Sequence, residues 1–219
     1  MNTHEIGDII KGISKREQQD RIAHYRVLNA LAKKGQTLFT GSSLMEQFPI
    51  HELLQDIGRG DVVYNRGIGG FTTKDMLEQM EEQIFALEPQ KIFINIGTND
   101  ISASDYQVEK LIKNYRRILS QIKERLPQAK VYLMAYYPMN ELVGDNAGFG
   151  GRTNAGIEQA NAAVQTLAEE FSYRFINVND GLADETGRLK QEYTIEGIHM
   201  YANAYQVILQ NLLPYLDEA

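Results

Sequence analysis

Short apolar runs alternate with longer amphipathic stretches over most of the chain after residue 36. The strand-like runs fall at 37–40, 61–65, 91–97, 130–137 and 174–178. Between them, hydrophobic residues recur every three to four positions, as on one helix face, around 76–87, 108–126, 157–171 and 207–212. Buried strands separated by helices are typical of parallel β-α-β units. The pattern therefore predicts an α/β fold, a three-layer α/β/α sandwich around a five-stranded parallel sheet.

Two further segments stand outside this alternation. Residues 14–34 favour a helix, with apolar residues three apart at Ile22, Tyr25, Leu28 and Leu31 and an end marked by Lys33-Lys34-Gly35. We predict that residues 1–35 form a helical extension packed on a domain spanning 36–219, with a homodimer through this helix as the alternative. Residues 138–153 contain four glycines after a predicted strand. They are interpreted either as a mobile flap over a site or as a passive surface loop.

The composition of the chain argues against several classes of function. Lys and Arg total 22 against 29 for Asp and Glu, a net charge of −7. That balance argues against nucleic-acid binding and against a stable association with anionic membranes. Cysteine is absent, which removes thiolate nucleophiles and zinc–cysteine sites. The first residues do not resemble a secretory signal, and no apolar run approaches the ~20 residues that span a bilayer, so we expect a cytoplasmic protein.

Polar and glycine-rich motifs follow several of the predicted strands, and one precedes the last helix. They are Gly41-Ser42-Ser43-Leu44, Asn65-Arg66-Gly67-Ile68-Gly69-Gly70, Gly97-Thr98-Asn99-Asp100 and Glu196-Gly197-Ile198-His199. Each motif alone is explained by a turn or a helix cap. Ligands bind parallel sheets at the carboxyl ends of the strands, and a hydroxyl, an imidazole near a carboxylate, an amide and a glycine loop are the groups that acyl transfer requires. His4 and His24 lie in the N-terminal segment and His51 in a helical pattern, so His199 is the candidate base.

These four motifs, in this order, resemble the SGNH hydrolase superfamily of GDSL-type esterases, especially its bacterial branch similar to platelet-activating factor acetylhydrolase. The resemblance runs from about residue 37 to 216 and implies a flavodoxin-like SGNH hydrolase fold. It implies Ser43 as nucleophile, with His199 and Glu196 completing a triad. It also implies an oxyanion hole formed by Ser43, Gly70 and Asn99, with no metal and no cofactor.

The sequence departs from the family pattern at two positions. Ser42 stands where the family has aspartate, whose expected role is to hold the nucleophile turn through hydrogen bonds to the backbone. We expect the Ser42 side chain to cap this turn similarly, without the charge. Glu196 also replaces an aspartate. Its longer side chain can still accept a hydrogen bond from the imidazole, as in other triads with glutamate.

The expected function is a serine esterase that cleaves short-chain, acetyl-like esters through an acyl-enzyme. No lipid-anchoring segment is visible, so a small-molecule or carbohydrate ester is the expected substrate. Two alternatives stay open: a non-catalytic binding module on a degenerate hydrolase fold, and an acyltransferase that uses the same triad. The retained Ser43, Asn99 and His199 count against the binding module.

Overall fold

A computed structural model describes residues 3–143 and 150–218, and it confirms the predicted α/β/α fold. All strand pairings are parallel, in the order β2-β1-β3-β4-β5. The strands are β1 (Thr37–Gly41), β2 (Val63–Asn65), β3 (Lys91–Asn95), β4 (Lys130–Met134) and β5 (Arg174–Ile176). The predicted runs 91–97 and 130–137 extend past their strands, because the chain stays buried after it leaves the sheet. Burial therefore continues into the loops that follow the strands.

Helices cover both faces of the sheet. They are α1 (Thr3–Leu31), α2 (Ser43–Glu46), α3 (Ile50–Asp56), α4 (Thr73–Glu78), α5 (Met80–Gln83), α6 (Thr98–Ile101), α7 (Val108–Arg125), α8 (Asn154–Phe171) and α9 (Ala202–Asp217), with 3₁₀ turns at Phe85–Leu87 and Gln191–Tyr193. One core joins the sheet to α1, α4, α5, α7 and α8, and the other joins it to α2, α3 and α9. Alternate strand residues fill the two cores: Ile92 and Ile94 belong to the first, and Phe93 to the second.

Helix α1 begins earlier and ends earlier than residues 14–34, the predicted span. Its predicted apolar stripe is wrong at Leu31, which is 80% exposed. Steps of three residues drift about 60° each around a helix of 3.6 residues per turn, so Leu31 lies on the side opposite Ile22. The side that packs carries Gln18, Ile22, Tyr25, Leu28 and Asn29. Two of these residues are polar. Gln18 donates to Gly69 O in a loop, and Asn29 donates to Glu82 O on α5.

Earlier on α1, four isoleucines spaced as one helical stripe are exposed: Ile6, Ile9, Ile10 and Ile13. Within the described residues, no helix combines the length and apolarity needed to cross a membrane.

Candidate active site

Ser43 is positioned by the sharp exit of the chain from β1. Gly41 ends the strand, and a Cβ atom there would lie 2.0 Å from the carbonyl oxygen of Asn95 on β3. Only glycine allows this close approach of two backbones. Ser43 then opens α2, where its carbonyl accepts the Gln47 N–H at 2.9 Å. Backbone contacts therefore hold the turn and leave the Ser43 hydroxyl half-buried at the carboxyl edge of the sheet.

The capping role expected of the Ser42 side chain is wrong. Its side chain is fully buried, makes no capping bond to α2, and its Oγ has no hydrogen-bond partner among the described residues. The Ser42 backbone does hold the turn, because its N–H donates to Asn95 O at 3.4 Å and its carbonyl accepts the Glu46 N–H at 2.9 Å. The motif does not reveal that the Ser42 side chain is buried. In its buried position, the Ser42 hydroxyl does not bond to the backbone N–H groups at the start of α2.

Ser43, His199 and Glu196 form one continuous hydrogen-bonded chain. His199 Nε2 lies 2.9 Å from Ser43 Oγ, and His199 Nδ1 lies 2.6 Å from Glu196 Oε1. A carboxylate only accepts hydrogen bonds, so Nδ1 carries the proton and Nε2 is left to accept from the serine hydroxyl. The same Glu196 oxygen accepts the backbone N–H of His199 at 2.9 Å. Glutamate thus reaches the imidazole where the family has aspartate.

The loop that carries Glu196 and His199 is closed by Thr194. The buried Thr194 hydroxyl accepts the Gly197 N–H at 2.7 Å and donates to His199 O at 3.0 Å. The carbonyl of Gly197 also accepts the Asn140 N–H at 2.8 Å, from the chain that follows β4. These bonds fix the spacing of carboxylate and imidazole before any substrate binds.

The loop of residues 67–71 carries the predicted oxyanion glycine. Four of its five N–H groups donate to protein acceptors: Gly67 to Asn65 Oδ1, Ile68 to Gly41 O, Gly69 to Glu46 Oε2 and Phe71 to Ile68 O. The N–H of Gly70 has no acceptor within the described ranges. Gly70 also has φ +74°, a backbone conformation that favours glycine, so this position selects against a side chain. The loop leaves one backbone donor free.

Two further donors complete the predicted oxyanion hole. The backbone N–H of Ser43 has no acceptor in the described part of the chain. Asn99, on α6, donates one amide hydrogen to Phe71 O at 2.9 Å, so its second amide hydrogen is left for a ligand. A Cβ on Gly69 would lie 3.9 Å from the Ser43 Cβ, which brings the 67–71 loop against the serine.

Arg152 contacts the predicted oxyanion residue Asn99, and the sequence pattern does not indicate this contact. Arg152 is 7% exposed and donates to Ser102 Oγ at 3.0 Å and to Asn99 Oδ1 at 3.4 Å. Burial lowers the pKa of Arg152 to about 10, and the negative charge of Glu196 opposes that shift. Because Arg152 donates to Asn99 Oδ1, the Asn99 nitrogen is the atom that donates to Phe71 O and keeps a second hydrogen free. No sequence pattern marks a buried guanidinium, because arginine at a glycine-rich loop predicts a solvated side chain.

Arg152 lies at the end of the segment 138–153, the predicted flap or loop. Residues 144–149 of it lie outside the described residues. The two described ends are joined, because the Asn154 side chain accepts the Met139 N–H at 2.9 Å and donates to Met139 O at 2.8 Å. The segment therefore starts and finishes beside the site.

The parallel α/β sheet with a serine, a histidine and a carboxylate joined at its carboxyl edge defines the class of serine hydrolases. Residues 39–207 match the model of the GDSL-like lipase/acylhydrolase family. The chain belongs to this family and is a carboxylester hydrolase. Helix α1 lies before the matched segment.

Individual relatives are similar to this chain over different shares of their length. A solved structure from Streptococcus pneumoniae, provisionally described as a platelet activating factor, is 31% identical, covers 98% of this chain and 100% of its own, and superposes with a TM-score of 0.90. The human platelet-activating factor acetylhydrolase IB subunit alpha2 is 23% identical over 85% of this chain and 78% of its own length. N-acylneuraminate cytidylyltransferase from Escherichia coli O18:K1:H7 is 30% identical over 67% of this chain, but the match spans only 33% of that protein.

Proposed function

We propose that this enzyme hydrolyses short-chain, acetyl-like esters by a double displacement at Ser43. The observation that carries the proposal is the 2.9 Å contact between Ser43 Oγ and His199 Nε2, with Glu196 on the other imidazole nitrogen at 2.6 Å. This geometry suits a general base that acts on a serine nucleophile.

In the first step, His199 Nε2 takes the hydroxyl proton while Ser43 Oγ bonds to the ester carbonyl carbon. The tetrahedral intermediate collapses when the carbon–oxygen bond to the alcohol breaks, and His199 returns its proton to the leaving alcohol. In the second step, His199 takes a proton from water, whose oxygen attacks the acyl carbon. The Ser43 ester bond then breaks, and His199 returns the proton to Ser43 Oγ. Glu196 keeps the imidazole in the required tautomer and stabilises its positive charge.

The negative oxygen of both tetrahedral intermediates needs hydrogen-bond donors. The free N–H groups of Ser43 and Gly70 and the second amide hydrogen of Asn99 supply them in this proposal. Such donors act more strongly on the intermediate than on the neutral ester, because charge develops only in the transition state. Losing one of them costs about 3 kcal/mol in the barrier in known cases.

A polar cleft on the α1 side of the 67–71 loop favours a polar alcohol portion of the substrate. The cleft has a volume of about 670 Å³ and reaches Gly69, but Ser43 and His199 do not line it, so it can hold only a part of the substrate away from the reacting carbonyl. Its lining is mostly polar or charged: Ser14, Glu17, Gln18, Asp20, Arg21, His24 and Glu46. Sugar hydroxyls pair with such groups, whereas a long acyl chain gains little from them. An O-acetylated carbohydrate or small metabolite is therefore the substrate class that we propose.

Turnover of a p-nitrophenyl ester series tests the proposal. We expect kcat/KM to be highest from acetate to butyrate and to fall steeply for long acyl chains. Ser43→Ala should lose this turnover, whereas the neighbouring Ser42→Ala should keep it. A preference for long acyl chains would contradict the proposed substrate and would direct attention to the exposed isoleucines of α1. Turnover that persists in Ser43→Ala would contradict the mechanism.

A further inference from the structure

The free N–H of Gly70 belongs to the same peptide unit as the carbonyl of Gly69. No cis peptide bond is present in the described chain, so this carbonyl and this N–H point in opposite directions. The carbonyl of Gly69 accepts a hydrogen bond from Gln18 Nε2 on α1 at 2.8 Å. The contact therefore directs the Gly69 carbonyl towards α1 and the Gly70 N–H away from it.

We propose that Gln18 is a positioning residue for the oxyanion hole, although it lies on α1, before the family-matched segment. By donating to Gly69 O, Gln18 selects the peptide orientation in which the Gly70 N–H is available to the substrate oxyanion. This inference rests on the proposed function, because it assigns Gly70 as an oxyanion donor.

The Gly69–Gly70 peptide needs such a contact. Two consecutive glycines have no Cβ atoms, so rotation of the peptide between them meets little steric resistance. In the rotated orientation, the Gly69 carbonyl would point where the oxyanion must lie, and its partial negative charge would repel that oxygen. Gln18 also lies close to Gly70, because a Cβ atom placed on Gly70 would lie 2.9 Å from Gln18 Nε2. Gln18 can therefore favour one orientation of this peptide over the other.

Side chains of α1 and α2 also hold the preceding peptide, between Ile68 and Gly69. The N–H of Gly69 donates to Glu46 Oε2 at 2.6 Å, and the other Glu46 oxygen pairs with Arg21 of α1 at 2.8 Å. Arg21 opposes the negative charge that Glu46 would otherwise present to the oxyanion. Glu46 accepts from the N–H of Gly69, and Gln18 donates to its carbonyl. Within the described 67–71 loop, the N–H of Gly70 is therefore the backbone donor that stays free.

Donor and acceptor variants of Gln18 separate this role from simple packing. Glu has the shape of Gln but only accepts, so Gln18→Glu favours the rotated peptide, in which the Gly70 N–H turns towards α1. Lys only donates, so Gln18→Lys preserves the orientation. Gln19, exposed on the next position of the same helix, is the matched control, and Gln19→Glu and Gln19→Lys report the effect of charge alone.

We expect kcat on p-nitrophenyl acetate to fall about 10- to 100-fold in Gln18→Glu, somewhat less than the loss of a whole oxyanion donor. KM should change little, and Gln18→Lys should restore most of the lost activity. Both Gln19 variants should match the parent. An alkyl boronic acid, which forms a tetrahedral adduct on an active serine, should lose affinity in Gln18→Glu by a factor similar to the loss in kcat/KM.

Parent-like kcat in Gln18→Glu, or equal losses in Gln18→Glu and Gln18→Lys, would overturn the positioning role while the parent still turns over ester. An equal loss in Gln19→Glu would also overturn it, because the effect would then be one of charge. Failure of the proposed function gives a different result: the parent itself shows no turnover beyond that of Ser43→Ala, and the inference falls with it.

Discussion

The two sides of the active site are built in different ways. On the nucleophile side, Ser43, His199 and Glu196 contact one another directly, and all three lie within the family-matched residues 39–207. On the proposed oxyanion side, two of the three donors are contacted from distant segments. Gln18 of α1 bonds to the peptide that carries the Gly70 N–H, and the buried Arg152 bonds to Asn99, each through one hydrogen bond.

This difference separates reactivity from orientation. The reacting groups depend on short sequence motifs, whose spacing ensures that they meet when the strands align. The oxyanion donors depend on contacts between distant segments, because an amide or a peptide must be held from behind to present its hydrogen. Variants on the nucleophile side should therefore remove activity almost completely, and variants on the oxyanion side should reduce it in graded steps.

Glu196→Gln should produce the largest loss among the supporting residues. The amide carries no charge to stabilise the imidazolium, and it presents an N–H that favours the wrong tautomer. We expect kcat/KM to fall towards ~10⁴-fold, the loss for the corresponding change in a serine protease. Glu196→Asp should be milder, and Glu192→Gln, an exposed control near the same loop, should be unchanged. A nearly active Glu196→Gln would mean that another group orients His199.

Asn99→Ala should have an intermediate effect. It removes one proposed oxyanion donor and leaves the triad intact, so we expect kcat to fall about 10²- to 10³-fold with little change in KM. Steady-state kinetics on p-nitrophenyl acetate measure both constants. A change confined to KM would indicate that Asn99 binds the substrate in its ground state and does not stabilise the intermediate.

Arg152→Met should have a smaller effect, because it acts through Asn99. We expect kcat to fall about tenfold, because the Asn99 oxygen loses the donor that holds it. The melting temperature should change little, because removing the desolvation cost of the buried guanidinium offsets the two lost hydrogen bonds. The exposed Arg117→Met is the control. A large drop in melting temperature with unchanged kcat would assign Arg152 to folding alone.

Tyr25→Phe should have the smallest effect on activity and should act mainly on stability. The buried Tyr25 hydroxyl donates to Gly67 O at 2.7 Å, so its loss leaves that carbonyl unsatisfied. We expect the free energy of unfolding to fall by about 1–2 kcal/mol. Urea unfolding followed by circular dichroism measures this change. An unchanged midpoint would show that α1 does not stabilise the oxyanion loop through this bond.

The same contrast explains which features the sequence predicts. Strong helical periodicity places α7 at 108–126, within a residue of Val108–Arg125. Because parallel strands end at one edge, the motifs after them are expected to converge, and Ser43 and His199 do meet although they are 156 positions apart. Strand ends are predicted less well, because the loops after β3 and β4 are also apolar.

The pattern of hydrophobic and polar positions does not reveal contacts that polar residues make between distant segments of the chain. Gln18 and Gly69 are 51 positions apart, and a glutamine on a polar helix predicts a solvated side chain. The apolar stripe predicted for α1 is incomplete for the same reason, since two of the five residues named on its packed side, Gln18 and Asn29, are polar. The motif predicts a capping role for the Ser42 hydroxyl, because serine commonly caps helices. Its burial depends on the packing of the whole domain.

Labelling with a fluorophosphonate probe, followed by peptide mapping, tests the central claim most directly. The probe reacts only with a serine that its neighbours activate. We predict a single adduct on Ser43, no adduct in Ser43→Ala, and full labelling in Ser42→Ala, because the Ser42 hydroxyl makes no hydrogen bond to any residue that the structure describes. An adduct on Ser42, or an enzyme that turns over ester while Ser43 stays unlabelled, would contradict the account.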